Sequence, residues 1–161
     1  MLSKARGASH NHQAWEGGYL DHIKEVMNIA ITLYEPLNLR RPLPFSMHDA
    51  LLALFLHDLE KPWKYALVEG KHELSQQMKD RDFVKKFRLD KIKEYGFQLS
   101  EEHLNGIEFA EGEIGVYTPG RRSMGILASF VHMCDIWSAR GWHNYPLAEN
   151  DTWQGAQRTH K

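Results

Sequence analysis

Apolar positions recur along this chain in steps of three and four rather than two. Leu20, Ile23, Met27, Ala30, Ile31 and Tyr34 keep that spacing behind Gly17-Gly18, which predicts an amphipathic helix over 18–36. Arg40-Arg41-Pro42-Leu43-Pro44 breaks the pattern and reads as a loop. Ser46-Met47-His48-Asp49 has the form of a capping box. The run behind it, through Leu56, is apolar nearly all round and predicts a central second helix. Pro62 predicts its stop near Lys61. Residues 73–88 are mixed and charged, a surface helix, and 89–95 predict another short one closed by Gly96. Ser100-Glu101-Glu102-His103 opens a helix reaching about Ala110. Gly112, Gly115, Pro119 and Gly120 mark a loop, and a last apolar helix is expected from about Arg122 to Arg140. Leu127, Ala128, Val131 and Asp135 share one of its faces. Residues 1–15 read as a polar arm, and 141–161 as a tail that packs by Trp142 and Trp153. No hairpin signal appears, so the expected class is all-α.

Composition narrows the picture. The chain has 161 residues, enough for one domain over 1–161 with a core at about 12–140. Lys plus Arg number 20 against 21 Asp plus Glu, so no global field recruits nucleic acid or an anionic membrane. No run of apolar residues is long enough for a transmembrane helix, and the first seven residues carry no apolar leader. Cys134 is the one cysteine, which excludes an internal disulfide or a cysteine-built zinc site and makes a cytoplasmic, reducing setting the expectation. Met47, Met124 and Met133 sit at helical spacings and read as core filler. Ten histidines are the unusual figure, and they direct attention to metal ligands.

Four positions carry chemistry. His22 lies early in the first long helix, His57 and Asp58 close the apolar second helix, and Asp135 lies inside the apolar last one. A buried carboxylate costs several kcal/mol unless it is paired or coordinates a cation. Asp58 follows Leu-Ala-Leu-Phe-Leu-His and Asp135 follows Phe-Val-His-Met-Cys, so both need a positive partner. Two imidazoles and two carboxylates suit a divalent ion such as Mn, Fe, Co, Ni, Zn or Mg. Taken singly, each has a plain alternative: a lone core histidine is usually just hydrogen-bonded, and a lone helical aspartate is usually a cap or an ion pair. The joint spacing, His-Asp 35 residues after the first histidine and Asp 77 residues further on, is much more specific.

At these residues the chain resembles the HD-domain superfamily of metal-dependent phosphohydrolases, whose signature is His…His-Asp…Asp on a helical bundle. Trp15-Glu16-Gly17-Gly18-Tyr19-Leu20-Asp21-His22 resembles its Gly-Gly-Leu-x-x-His opening. Leu54-Phe55-Leu56-His57-Asp58-Leu59-Glu60-Lys61-Pro62 resembles its His-Asp-x-x-Lys core, and Asp135-Ile136-Trp137-Ser138-Ala139 its closing aspartate and Ser-Ala. The resemblance implies an HD-domain bundle, here of about six or seven helices. It implies His22, His57, Asp58 and Asp135 as metal ligands, and small members that often form homo-oligomers. In two-metal members further histidines follow. Gly70-Lys71-His72-Glu73-Leu74-Ser75 is similar to the first such motif, so His72 is a candidate for a second metal, with Asp58 bridging. The next motif is expected near Phe109-Ala110-Glu111, where Glu111 stands instead of histidine, with His103 two helical turns before it.

The reaction expected from such a site is hydrolysis of a phosphomonoester or phosphodiester, in a nucleotide or another small phosphorylated metabolite. The ion acidifies water, and the protein positions the phosphate and neutralises its charge. Lys61, one turn beyond His57, and Arg121-Arg122, after a Gly/Pro loop, are the candidate phosphate contacts, with solvated or snorkelling side chains as the alternative. Glu111, or Glu113, is the candidate acid–base. His12 and Trp15 are placed to roof the site, Trp15 as a stacking surface for a nucleobase or simply as packing for the arm. Three rivals stand beside this expectation: an HD-type di-iron oxygenase, disfavoured by Glu111, a metal-stabilised nucleotide-sensing module without turnover, and a nucleic-acid-processing enzyme acting on strand ends, disfavoured by the near-neutral charge.

Overall fold

The computed structural model describes residues 2–68, 71–147, 150–153 and 156–160; the side chains at 66–68 and 71–72 lie outside the description. The chain is mostly helical, as an all-α pattern requires. Its helices are α1 (Gly18–Arg40), α2 (Met47–Leu56), α3 (Lys61–Lys64), α4 (Arg81–Glu94), α5 (Glu101–Glu108) and α6 (Ile126–Ile136), with a π-helical turn at Trp137–Gly141 directly after α6. No helix among the described residues is long and apolar enough to cross a membrane. The chain divides into two compact units. One comprises Met1–Glu25, Asp58–Phe97 and Ser138–Lys161, the other Val26–His57 and Gln98–Trp137.

The second unit has an apolar core. Helices α5 and α6 pack together and both pack on α2. The face of α6 that the spacing predicts is the buried one: Leu127, Ala128, Val131 and Asp135 are all inside. Gly106 permits the close approach, since a Cβ there would stand 3.3 Å from the Ala53 Cβ and 3.5 Å from Leu127. Tyr34, Phe45 and Phe130 form an aromatic cluster, and the Tyr34 hydroxyl donates to the Phe45 carbonyl at 2.7 Å. Both predicted capping boxes exist. Ser46 and Asp49 open α2, and Ser100 with His103 opens α5.

The first unit buries polar groups instead. Gln13, Asp21, His22, Glu25, Asp58, Glu60, Lys61 and Ser138 are inside it, beside Tyr19, Ile23 and Leu59. Glu60 is paired with Arg88 of α4 at 2.7 Å. The tail packs by its aromatics as expected, with Trp142 and Trp153 edge to face at 5.0 Å.

Five boundaries differ from the pattern. Helix α2 ends at Leu56 rather than near Lys61, and Pro62 sits in the first turn of α3, where a proline is tolerated. Helix α1 runs through Pro36 to Arg40. Pro36 and Thr32 are exposed, so the Thr32 carbonyl that loses its helical donor lies on the solvent side. Residues 65–68 and 71–74 form an antiparallel pair, β1 (Tyr65–Val68) and β2 (Lys71–Leu74), in register Tyr65↔Leu74 to Val68↔Lys71. The dipeptide between them, Glu69-Gly70, is not one of the turn pairs that mark a hairpin in sequence. Helix α4 starts only at Arg81, where Asp80 caps the amides of Asp82 and Phe83, and it continues through the expected break because Val84 and Ile92 bury one side. Helix α6 starts at Ile126 rather than Arg122. The Glu113 carboxylate accepts the amides of Ser123 and Met124, both at 2.8 Å, and Asn105 accepts that of Gly125 at 2.7 Å, which holds 121–125 outside the helix.

The arm is locked to α1 by contact too close for a side chain. A Cβ at Gly18 would fall 1.8 Å from the Gln13 carbonyl oxygen. Gly18→Ala is therefore expected to lower stability by about 1–3 kcal/mol, read from the urea midpoint, whereas an unchanged midpoint would show that the arm is not docked.

Candidate metal centre

Helix α2 delivers His57 at its C-terminal end, behind a face that buries Ala50, Ala53, Leu54 and Leu56 while Phe55 stays exposed. The His57 Nδ1 lies 2.6 Å from the Leu54 carbonyl oxygen. A carbonyl only accepts, so Nδ1 carries a proton. In neutral His57 the lone pair is then on Nε2, and Nε2 faces Asp135 Oδ1 at 3.4 Å. That separation is beyond an ordinary N–H···O bond, and a lone pair facing a carboxylate oxygen is repulsive unless positive charge joins them.

The first unit repeats the device. His22 Nε2 stands 3.5 Å from Asp58 Oδ2, and His22 Nδ1 stands 3.1 Å from the Ser138 hydroxyl. Asp58 Oδ2 also takes the ammonium of buried Lys61. The ring of His12 lies 5.1 Å from that of His22, and its Nε2 is 3.4 Å from Lys61 Nζ. Buried His57 and Asp135 of the second unit each offer a donor atom that could bind a metal ion, and buried His22 of the first unit offers another. Imidazole nitrogens with carboxylates and no thiolate fit the borderline-to-hard divalent ions. Cys134 adds nothing to the set: burial, with a smaller contribution from the adjacent Asp135 charge, raises its thiol to about 12.

The remaining predicted residues are dispersed. The side chain of His72 lies outside the described residues, so a second metal there has no structural description. Both nitrogens of His103 are used in structure: Nδ1 accepts the Ser100 amide at 3.1 Å and Nε2 donates to Asp49 Oδ1 at 3.0 Å. Asp49 is held below the usual carboxylate range chiefly by the Ser46 hydroxyl and amide. Glu111 is exposed, and Arg121 and Arg122 are exposed in the loop before α6 rather than at its start. Glu113 is spent on the amides that hold that loop. Trp15 donates to Asp21 Oδ2 at 2.9 Å, and the Arg158 guanidinium covers one ring face at 3.8 Å. Asp21 in turn accepts from the amide and hydroxyl of Thr159, so Trp15 serves to dock both termini.

Gln13 and Glu25 have no place in the sequence reading, and Ser138 enters it only within the closing Asp…Ser-Ala motif. Gln13, Glu25 and Ser138 are buried together; the Ser138 hydroxyl donates to Glu25 Oε2 at 2.7 Å and Gln13 Nε2 donates to the same oxygen at 2.9 Å. Glu25 is three residues beyond His22 on the same face, the one available hint. No protein-family model, curated protein or solved structure matches the chain.

Burial raises the Glu25 carboxyl from its ordinary 4.5 to about 7, against the lowering effect of the Ser138 hydroxyl. Between those values the folded chain keeps a proton that the unfolded chain releases. This contribution to stability is complete below about 4.5 and is lost as pH rises through about 7. Glu25→Gln removes the titration. Between pH 5 and 8 it is expected to lose less stability than the parent, by on the order of 2 kcal/mol in denaturant melts; parallel curves would contradict the assignment.

Proposed function

We propose that the protein is a metal-dependent phosphohydrolase of the HD type, with His22, His57, Asp58 and Asp135 holding one divalent cation. The observation that supports this is the buried His57 Nε2 set 3.4 Å from Asp135 Oδ1, with His57 Nδ1 turned to the Leu54 carbonyl, a pairing of donor atoms that a divalent cation would satisfy. The His22–Asp58 pair has the same spacing, and His57 and Asp58 are consecutive in the chain. The resemblance to the HD signature supplies the reaction class.

A divalent ion in such a set lowers the pKa of water and neutralises phosphoryl charge. The protein groups do the rest. The two histidines offer neutral nitrogen, and the two aspartates balance the charge of the ion. Lys61 sits with its ammonium against Asp58, where it lowers the cost of burying that carboxylate and can turn to a phosphoryl oxygen. Arg121 and Arg122 are open to solvent and can attract a phosphorylated metabolite or nucleotide; Glu111, equally exposed, is the acid–base candidate. A silent metal-stabilised module is the second reading, favoured by the Lys61 contact, which already neutralises one carboxylate.

The test is metal content after dialysis against Mn, Co, Zn or Mg, run beside hydrolysis of nucleotides and simple phosphate esters. Loaded protein is expected to hydrolyse at least one ester and to be stabilised by about 2.7 kcal/mol at a metal concentration a hundred times Kd. Asp58→Ala and Asp135→Ala should each lose the metal and the activity. Full hydrolysis by Asp58→Ala contradicts the proposal, and tight nucleotide binding without turnover selects the silent module.

A further inference from the structure

We propose that Glu25 is a positioning residue of the metal centre, acting through Ser138 to decide which nitrogen of His22 carries the proton. This rests on the phosphohydrolase reading only in taking His22 as a ligand.

A serine hydroxyl has one proton. Ser138 gives it to Glu25 Oε2 at 2.7 Å, so towards His22 Nδ1, 3.1 Å away, its oxygen can only accept. Nδ1 must then be the protonated nitrogen. The lone pair of neutral His22 falls on Nε2, the atom 3.5 Å from Asp58. The outcome matches that at His57, where a backbone carbonyl does the same work. A ligand histidine is commonly oriented through its other nitrogen in this way.

The surroundings keep Glu25 in this role. Gln13 Nε2 donates to Glu25 Oε2 at 2.9 Å and also reaches the carbonyls of Trp142 at 3.2 Å and Tyr145 at 3.1 Å. Gln13 is fully buried and sits at φ 41, a left-handed conformation that persists only where the surroundings over-determine it. Ser138 belongs to the π-helical turn after α6, an irregularity that commonly marks functional positions. Without the Glu25 oxygen, the Ser138 proton has His22 Nδ1 as an acceptor. The imidazole proton then moves to Nε2 and blocks the atom that would meet the ion.

The experiment uses metal-free protein with 15N-labelled histidine, at about pH 8 where imidazole is neutral. Long-range NMR correlations report the tautomer of His22, and Zn titration reports affinity. The wild type is expected to hold the proton on Nδ1. Glu25→Gln, which keeps an acceptor oxygen, should preserve the tautomer and bind Zn within about threefold of the parent. Glu25→Ala should shift the proton to Nε2 and weaken Zn binding about 10–100-fold. Ser138→Ala offers the same two readouts if Glu25→Ala does not fold, with loss of the fixed tautomer expected. A wild-type His22 protonated on Nε2 overturns the proposal, as does a folded Glu25→Ala with tautomer and affinity unchanged. A chain that takes up no metal while its His22 tautomer follows residue 25 rejects the hydrolase and leaves the control by Glu25 standing.

Discussion

A neutral imidazole whose Nδ1 proton is committed to an acceptor turns a lone pair outward at Nε2. Facing a carboxylate, that lone pair repels unless positive charge stands between. His57 is in this position against Asp135, held by the Leu54 carbonyl, and His22 has the same separation from Asp58. Each pair sits among buried groups, where the repulsion is least screened. The rest of the structure serves to keep these groups inside and oriented.

The two units meet that demand differently. In the second, an apolar core of α2, α5 and α6 closes around Gly106, and the only polar groups it buries among the described residues are His57 and Asp135. Precision there comes from packing. In the first, a network of Gln13, Glu25 and Ser138 does the positioning, and Glu60 with Arg88 supports the segment that carries Asp58 and Lys61. A polar interior of this kind is costly when half satisfied and specific when complete.

Much of this was legible in the sequence, for local reasons. The capping boxes at Ser46 and Ser100 fixed helix starts to within a residue, and the apolar run before His57 pointed to a buried face, which Ala50, Ala53, Leu54 and Leu56 form. Asp135 was legible by the same logic, as a carboxylate on an apolar face. What was hidden depends on contacts distant in sequence. The true start of α6 is set by Glu113, which holds the Ser123 amide ten residues further on, and the Glu25–Ser138 bond spans 113 residues. The β1–β2 hairpin lacks the turn residues that announce one, and the tail residue Arg158 gives no sign that it will cover Trp15. Sequence periodicity reports which face is buried, not which polar groups meet there.

The most direct measurement is X-ray absorption at the metal edge of the Zn- or Co-loaded protein. The account predicts two imidazole nitrogens and carboxylate oxygen in the inner shell, at about 2.0–2.2 Å. A shell without imidazole, or a protein that retains no metal at all, would contradict it.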